Sequence, residues 1–143
     1  MQLLMYTDYA LRALIYVGTH PDEPVPASTI ARAYDISIDH VAKATKALTR
    51  AGLLRATRGA GGGVELALPP SKIRIGEVIR QFEGERGIVE CMGDPPGDCR
   101  IAPSCRLRGA LKRAEDAFYA ELDRYTLADM LANRPQLLRL LRH

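Results

Sequence analysis

Two short stretches of helical apolar spacing flank a three-residue turn, and a hairpin with a glycine-rich tip follows them directly. A later amphipathic run adds one long helix. Together these predict a mainly α-helical fold, a winged helix-turn-helix with a two-stranded wing and a long dimerisation helix. The chain has 143 residues, 47% of them hydrophobic, enough for one compact core with an appended helix.

The first helix is expected to open at Thr7-Asp8, because Tyr9, Leu11, Leu14, Ile15 and Val17 then recur at helical spacing. His20-Pro21-Asp22-Glu23-Pro24 cannot continue it and reads as a loop. In the second helix Ile30, Ala33 and Tyr34 share a side, and Asp35-Ile36-Ser37 is the turn, with Ser37 placed to cap the third helix. That helix runs from Ile38 to Ala51 with Val41, Ala44, Thr45 and Leu48 inward; Asp39, Lys43, Lys46 and Arg50 form one outward stripe with His40 beside it. Gly52 stops that helix. Residues 53–57 and 64–68 then read as the two strands of a wing whose tip is Arg58-Gly59-Ala60-Gly61-Gly62-Gly63.

After Pro69-Pro70 a helix carrying Ile73, Ile75, Val78, Ile79 and Phe82 ends near Gly84. Residues 85–104 are irregular. From Cys105, Leu107, Leu111, Ala114, Phe118, Leu122 and Tyr125 form a continuous apolar seam, which needs a partner surface; a second copy of the chain supplies one. The C-terminal segment is a shorter helical tail broken near Pro135. The expected organisation is a DNA-binding domain over 1–84, a cysteine-bearing loop over 85–104, and a dimerisation helix with its tail over 105–143.

Charge points the same way. The net charge is +3, and residues 29–66 hold six Lys or Arg against three acids, so the chain's whole excess lies in this segment. Lysines and arginines on the outer face of the third helix reach phosphates and base edges in a major groove, and a glycine-rich tip lets Arg58 approach a minor groove. The expected DNA contacts are Ser28, Thr29, Ser37, His40, Lys43, Lys46, Arg50, Arg55, Arg58, Gly59 and Gly61. The glycine run is no nucleotide loop, since it lacks a Lys-Ser/Thr ending and precedes a strand. No run of apolar residues is long enough to span a membrane, and the N-terminus lacks the basic region of a secretory signal, so a cytoplasmic protein is expected. No nucleophile elbow or carboxylate pair suggests an enzyme, and the three histidines are scattered at 20, 40 and 143.

Cys91, Cys99 and Cys105 are the only cysteines. Such a cluster favours metal or redox chemistry over a structural disulfide. Zinc takes four Cys or His ligands and no histidine is near; three thiolates with one further ligand suit an iron–sulfur cluster, and a two-cysteine redox switch is the cluster-free alternative.

The segments Tyr6-Thr7-Asp8-Tyr9-Ala10-Leu11-Arg12, Gly59-Ala60-Gly61-Gly62-Gly63-Val64-Glu65-Leu66-Ala67 and Cys105-Arg106-Leu107-Arg108, with the cysteine trio, resemble the winged-helix iron–sulfur repressors of the Rrf-two family. The resemblance covers nearly the whole chain. Val89-Glu90-Cys91 and residues 123–129 are most similar to its nitric-oxide-sensing branch, whereas the branch controlling cluster assembly carries a histidine where this chain has Arg108. The resemblance implies a homodimer on operator DNA, with Cys91, Cys99 and Cys105 ligating a 4Fe-4S or 2Fe-2S cluster. It implies Asp8 as the fourth ligand, supplied by the other subunit, with Glu85 or Glu90 as alternatives, and nitric oxide as the signal that releases DNA. A sensor of iron–sulfur status or redox state with the same fold is the second reading. The seven residues between the first two cysteines are one or two more than is usual in the family.

Overall fold

The computed structural model describes residues 2–84 and 86–142; Met1, Glu85 and His143, two of which are the candidate ligand and the last of the three histidines, lie outside it. The elements run in the expected order. They are α1 (Met5–Thr19), α2 (Ala27–Ala33), α3 (Ile38–Arg50), β1 (Leu54–Thr57), β2 (Gly63–Leu66), α4 (Ile75–Glu83), α5 (Arg106–Leu122), α6 (Leu127–Met130) and α7 (Arg134–Leu140).

α1 is the central strut. It buries Tyr9, Ala10, Ala13, Leu14, Tyr16, Val17 and Gly18, and packs against α3, β2, α4, α6 and α7. It begins at Met5, ahead of the expected Thr7-Asp8. The reason is a long-range cap: the Glu83 carboxylate, at the end of α4, accepts the Leu4 amide at 2.9 Å and the buried Thr7 hydroxyl at 2.5 Å. This satisfies a helix-start donor from outside the helix.

The helix-turn-helix is closed by two similar turns. After α3, Gly52 adopts φ 73°, its amide donates to the Thr49 carbonyl, and the Leu53 amide reaches the Leu48 carbonyl. After α2, Asp35 takes the same left-handed conformation at φ 52°, with Asp35 donating to Arg32 and Ile36 to Ala31. Both are Schellman closures, the second built on the aspartate that tolerates this region among non-glycine residues. Ser37 stands at the N-cap position of α3, but its hydroxyl makes no capping bond. The backbone turn already fixes where α3 begins, and the exposed hydroxyl is left to solvent.

The wing is an antiparallel pair in which Leu54, Arg55, Ala56 and Thr57 face Leu66, Glu65, Val64 and Gly63. A separate bridge ties it to the body: Val25 and Val64 exchange amide-to-carbonyl bonds of 2.8 and 2.9 Å.

The C-terminal residues return to the same core. The Leu127 amide donates to the Ile73 carbonyl and the Ile75 amide to the Tyr125 carbonyl, while the Leu127 side chain is fully buried. Arg80 holds Asp123 in a two-pronged ion pair and lies 4.5 Å from the centre of the Tyr119 ring, and the bond from Arg80 keeps the Asp123 carboxyl below its ordinary value. Tyr125, expected in the long helix, lies beyond its end at Leu122, in this return turn. The break in the tail falls at residues 131–133, and Pro135 sits in the first turn of α7. A proline there starts a helix, because its missing N–H had no partner to lose. Along α5 no residue is buried, and Leu107 is 64% exposed.

Candidate functional site

The outer face of α3 is as the spacing predicts. Val41, Ala44, Thr45 and Leu48 are buried, while Asp39, Lys43, Lys46 and Arg50 are exposed. Ser28, Ser37 and His40 are exposed, and Thr29 is half-buried. One flank of this face is fastened to α1. The His40 ring stacks on Tyr9 with centroids 5.5 Å apart, and the Tyr6 hydroxyl donates to the Lys43 carbonyl at 3.3 Å. Arg50 lines a cleft of about 250 Å³ with Tyr6, Gln81 and Phe82, which sets it toward α4 at the far end of the stripe.

On the wing the two arginines differ. Arg55 donates to Glu65 across the strands at 3.0 Å, so its charge is compensated within the hairpin. Arg58 is exposed at the tip and has no ion pair among the described residues; Lys43 and Lys46 share that condition. Gly59 and Gly61 beside Arg58 have φ of 98° and 76°, a conformation that suits glycine.

The three cysteines are all free thiols. Cys91 is half-buried in a single turn of 3-10 helix over Glu90–Met92, Cys99 is exposed, and Cys105 caps α5, its sulfur accepting the Arg108 amide at 3.4 Å. The long spacing between the first two is taken up by a closed turn. The Glu90 carbonyl accepts the Gly93 and Gly97 amides at 3.3 and 2.9 Å, so Cys91 and Cys99 straddle a loop that folds on itself. The side chain of Glu90 lies against Gly97. A cavity of about 500 Å³ opens beside Cys105, lined by Met92, Arg108, Lys112 and Glu115 among others.

Asp8 lies on the half-exposed side of α1. Its carboxylate takes both prongs of Arg12, at 2.7 and 3.1 Å. The Arg12 guanidinium also lies 5.7 Å from the Tyr34 ring centre, and burial pushes the Tyr34 hydroxyl up to about 12 against the opposing pull of Arg12.

Among the described residues, no group of three or more His, Cys, Asp or Glu side chains is close enough to hold a metal ion. One chain alone does not gather the three thiols and Asp8. The donor set nevertheless fits an iron–sulfur cluster: soft thiolates are the ligands cluster iron takes, and no residue from 86 to 104 is buried, so the loop can close without breaking core packing. Glu83, which holds the start of the helix bearing Asp8, carries no local signal in the sequence, because its partners are nearly eighty positions away.

Comparison with known proteins agrees with this geometry. A family model described as "Rrf2: Iron-dependent Transcriptional regulator" matches residues 3–133. The HTH-type transcriptional regulator NsrR of Halalkalibacterium halodurans is 39% identical over 143 residues, covering 99% of this chain and 98% of that one. IscR of T. potens superposes with a TM-score of 0.73 at 26% identity, over 93% of this chain and 88% of that one. CymR (YrzC), the global cysteine regulator of B. subtilis, does so with a TM-score of 0.74 at 28% identity, over 93% and 98%. Among the described residues no helix is long and apolar enough to cross a membrane.

Proposed function

Since the chain belongs to the Rrf2 family, whose members regulate transcription and are not enzymes, we propose that it represses transcription as a homodimer on operator DNA, holds an iron–sulfur cluster on Cys91, Cys99 and Cys105, and releases the operator when nitric oxide attacks that cluster. The fourth ligand in this reading is the partner subunit's Asp8. When bound, the cluster supplies an iron open to a diatomic gas at the position held by a carboxylate, a hard and weak donor for it.

The observation that carries the reading is the way α1 joins Asp8 to α3. Tyr6 and Tyr9 flank Asp8, one bonded to the Lys43 carbonyl and the other stacked on His40. A pull on Asp8 therefore acts on the helix that would lie in the major groove. Asp8 must first leave Arg12; the pair is partly exposed, so the exchange costs about 1 kcal/mol or less. Arg12 keeps the Tyr34 ring as a neighbour. A dimer reads half-sites about 34 Å apart, so a small rotation of α1 and α3 misplaces both helices at once. A coupling of roughly 1–3 kcal/mol is enough for such a switch.

The test is anaerobic purification followed by nitric oxide titration, with absorbance and operator binding read together. A brown protein that loses operator in step with bleaching is the expected result. A colourless protein that still binds DNA sinks the cluster. A brown protein that ignores nitric oxide but releases DNA on iron chelation or oxidation supports the reading of an iron or redox sensor.

A further inference from the structure

The outer face of α3 has two flanks, and only one is covered by α1. On the covered side stands His40 against Tyr9. On the other side stand Ile38 and Ala42, one helical turn apart and both exposed. Ile38 is the first residue of α3 and is 50% exposed, which leaves its branched apolar side chain open to a partner at the start of the helix. Its neighbours are polar: Ser37 and Asp39 adjoin it, and Lys43 and Lys46 follow on the same outer face, all exposed or nearly so. The N-terminal residues of a recognition helix approach base edges most closely, while lysines farther along meet phosphates. The major groove offers one apolar feature, the C5-methyl group of thymine.

Resting on the operator-binding reading, we infer that Ile38 is a specificity-determining residue that packs on a thymine methyl group in each half-site, with Ala42 widening the same apolar strip. The interaction carries no charge and makes no hydrogen bond, so it selects thymine over cytosine while leaving the salt dependence of binding unchanged. Ile38 makes no part of the core, and its substitution leaves the fold intact.

The experiment uses the anaerobically purified, cluster-loaded full chain. Duplexes are first selected from a randomised DNA pool, and in the best one each thymine is then replaced singly by deoxyuridine, which removes only the methyl group. At one thymine per half-site the wild type should lose about fourfold in affinity, the effect of one buried methyl-sized group. Ile38→Ala should bind the thymine duplex about fourfold more weakly and be indifferent to deoxyuridine at that position, and Ile38→Val should restore most of the sensitivity. Equal methyl sensitivity in wild type and Ile38→Ala, or none at any thymine in the wild type, overturns this inference and leaves operator binding standing. A chain that enriches no sequence overturns the operator-binding reading, and this inference falls with it.

Discussion

A methyl group added at Gly63 would lie 2.4 Å from the carbonyl carbon of Val25, closer than real side chains come to backbone. The wing can join the body through the Val25–Val64 bridge only because position 63 is bare. Gly63→Ala should therefore destabilise the fold by roughly 1–3 kcal/mol and weaken DNA binding beyond that loss, as urea unfolding and operator titration would show. Gly59→Ala meets open space and carries only the left-handed backbone cost of about 1–2 kcal/mol. Asp8 is the other residue with a sharp test. Asp8→Ala should still let three thiolates assemble a cluster, with a shifted absorption spectrum and weaker operator binding. A wild-type spectrum, operator affinity and nitric oxide response together would reduce Asp8 to an acid that stabilises a helix start and holds Arg12. The residue scale is also where sequence reading stops short. The motif singled out Asp8 and the cysteines as candidates, whereas nothing singled out Glu83, because a cap that reaches from α4 to the start of α1 leaves no local pattern.

At the scale of elements, the helix-turn-helix and wing were legible because their signals are local: inward apolar spacing in α3, Gly52 at its end, glycines at the wing tip. The hairpin register was not, and it separates two arginines that look alike in sequence. Arg55 faces Glu65, while Arg58 lies past the last pair of the ladder. Lys46→Ala and Arg58→Ala should each lower operator affinity and flatten its salt dependence, by about 0.9 in slope for each phosphate no longer neutralised. Arg55→Ala should change the slope less, since its charge is already met by Glu65. Equal slopes for all three variants and the wild type would remove phosphates from the assignment. Pro135 shows the ambiguity of a local signal: one residue both ends and begins helices, and only the fold decides which.

For the whole molecule, α5 is the longest element of which a single chain buries no residue. It has seventeen residues and buries none of them. A second copy covering Leu107 and the seam behind it is the arrangement the proposed homodimer requires. Leu107→Asp should leave the single chain folded, because the side chain is 64% exposed, yet it should abolish the dimer by burying an unpaired charge. Sedimentation at micromolar concentration reads this directly, and an unchanged dimer would place the interface elsewhere. Fold class and element order were legible at this scale. The proposed assembly of the thiols with Asp8 rests on the resemblance, since the described residues of one chain do not gather them.

Residues 125–127 return onto Ile73 and Ile75. Residues 86–122 bury no side chain, and the chain leaves the core at one end of α4 and rejoins it at the other, so the cysteine loop and α5 form a handle held at both ends of that helix. A protease cut at exposed Arg100 would open the handle without parting its anchors, and the two pieces would stay together through Leu127 and the backbone bonds around it. In the proposed reading, insertion, deletion or even scission within the handle would alter sensing while the body that meets DNA keeps its register. Leu127, with Met130, Leu131 and Leu141 packed beside it, completes the core of that body, so a fragment ending at Gly84 would lack the last piece of its own core.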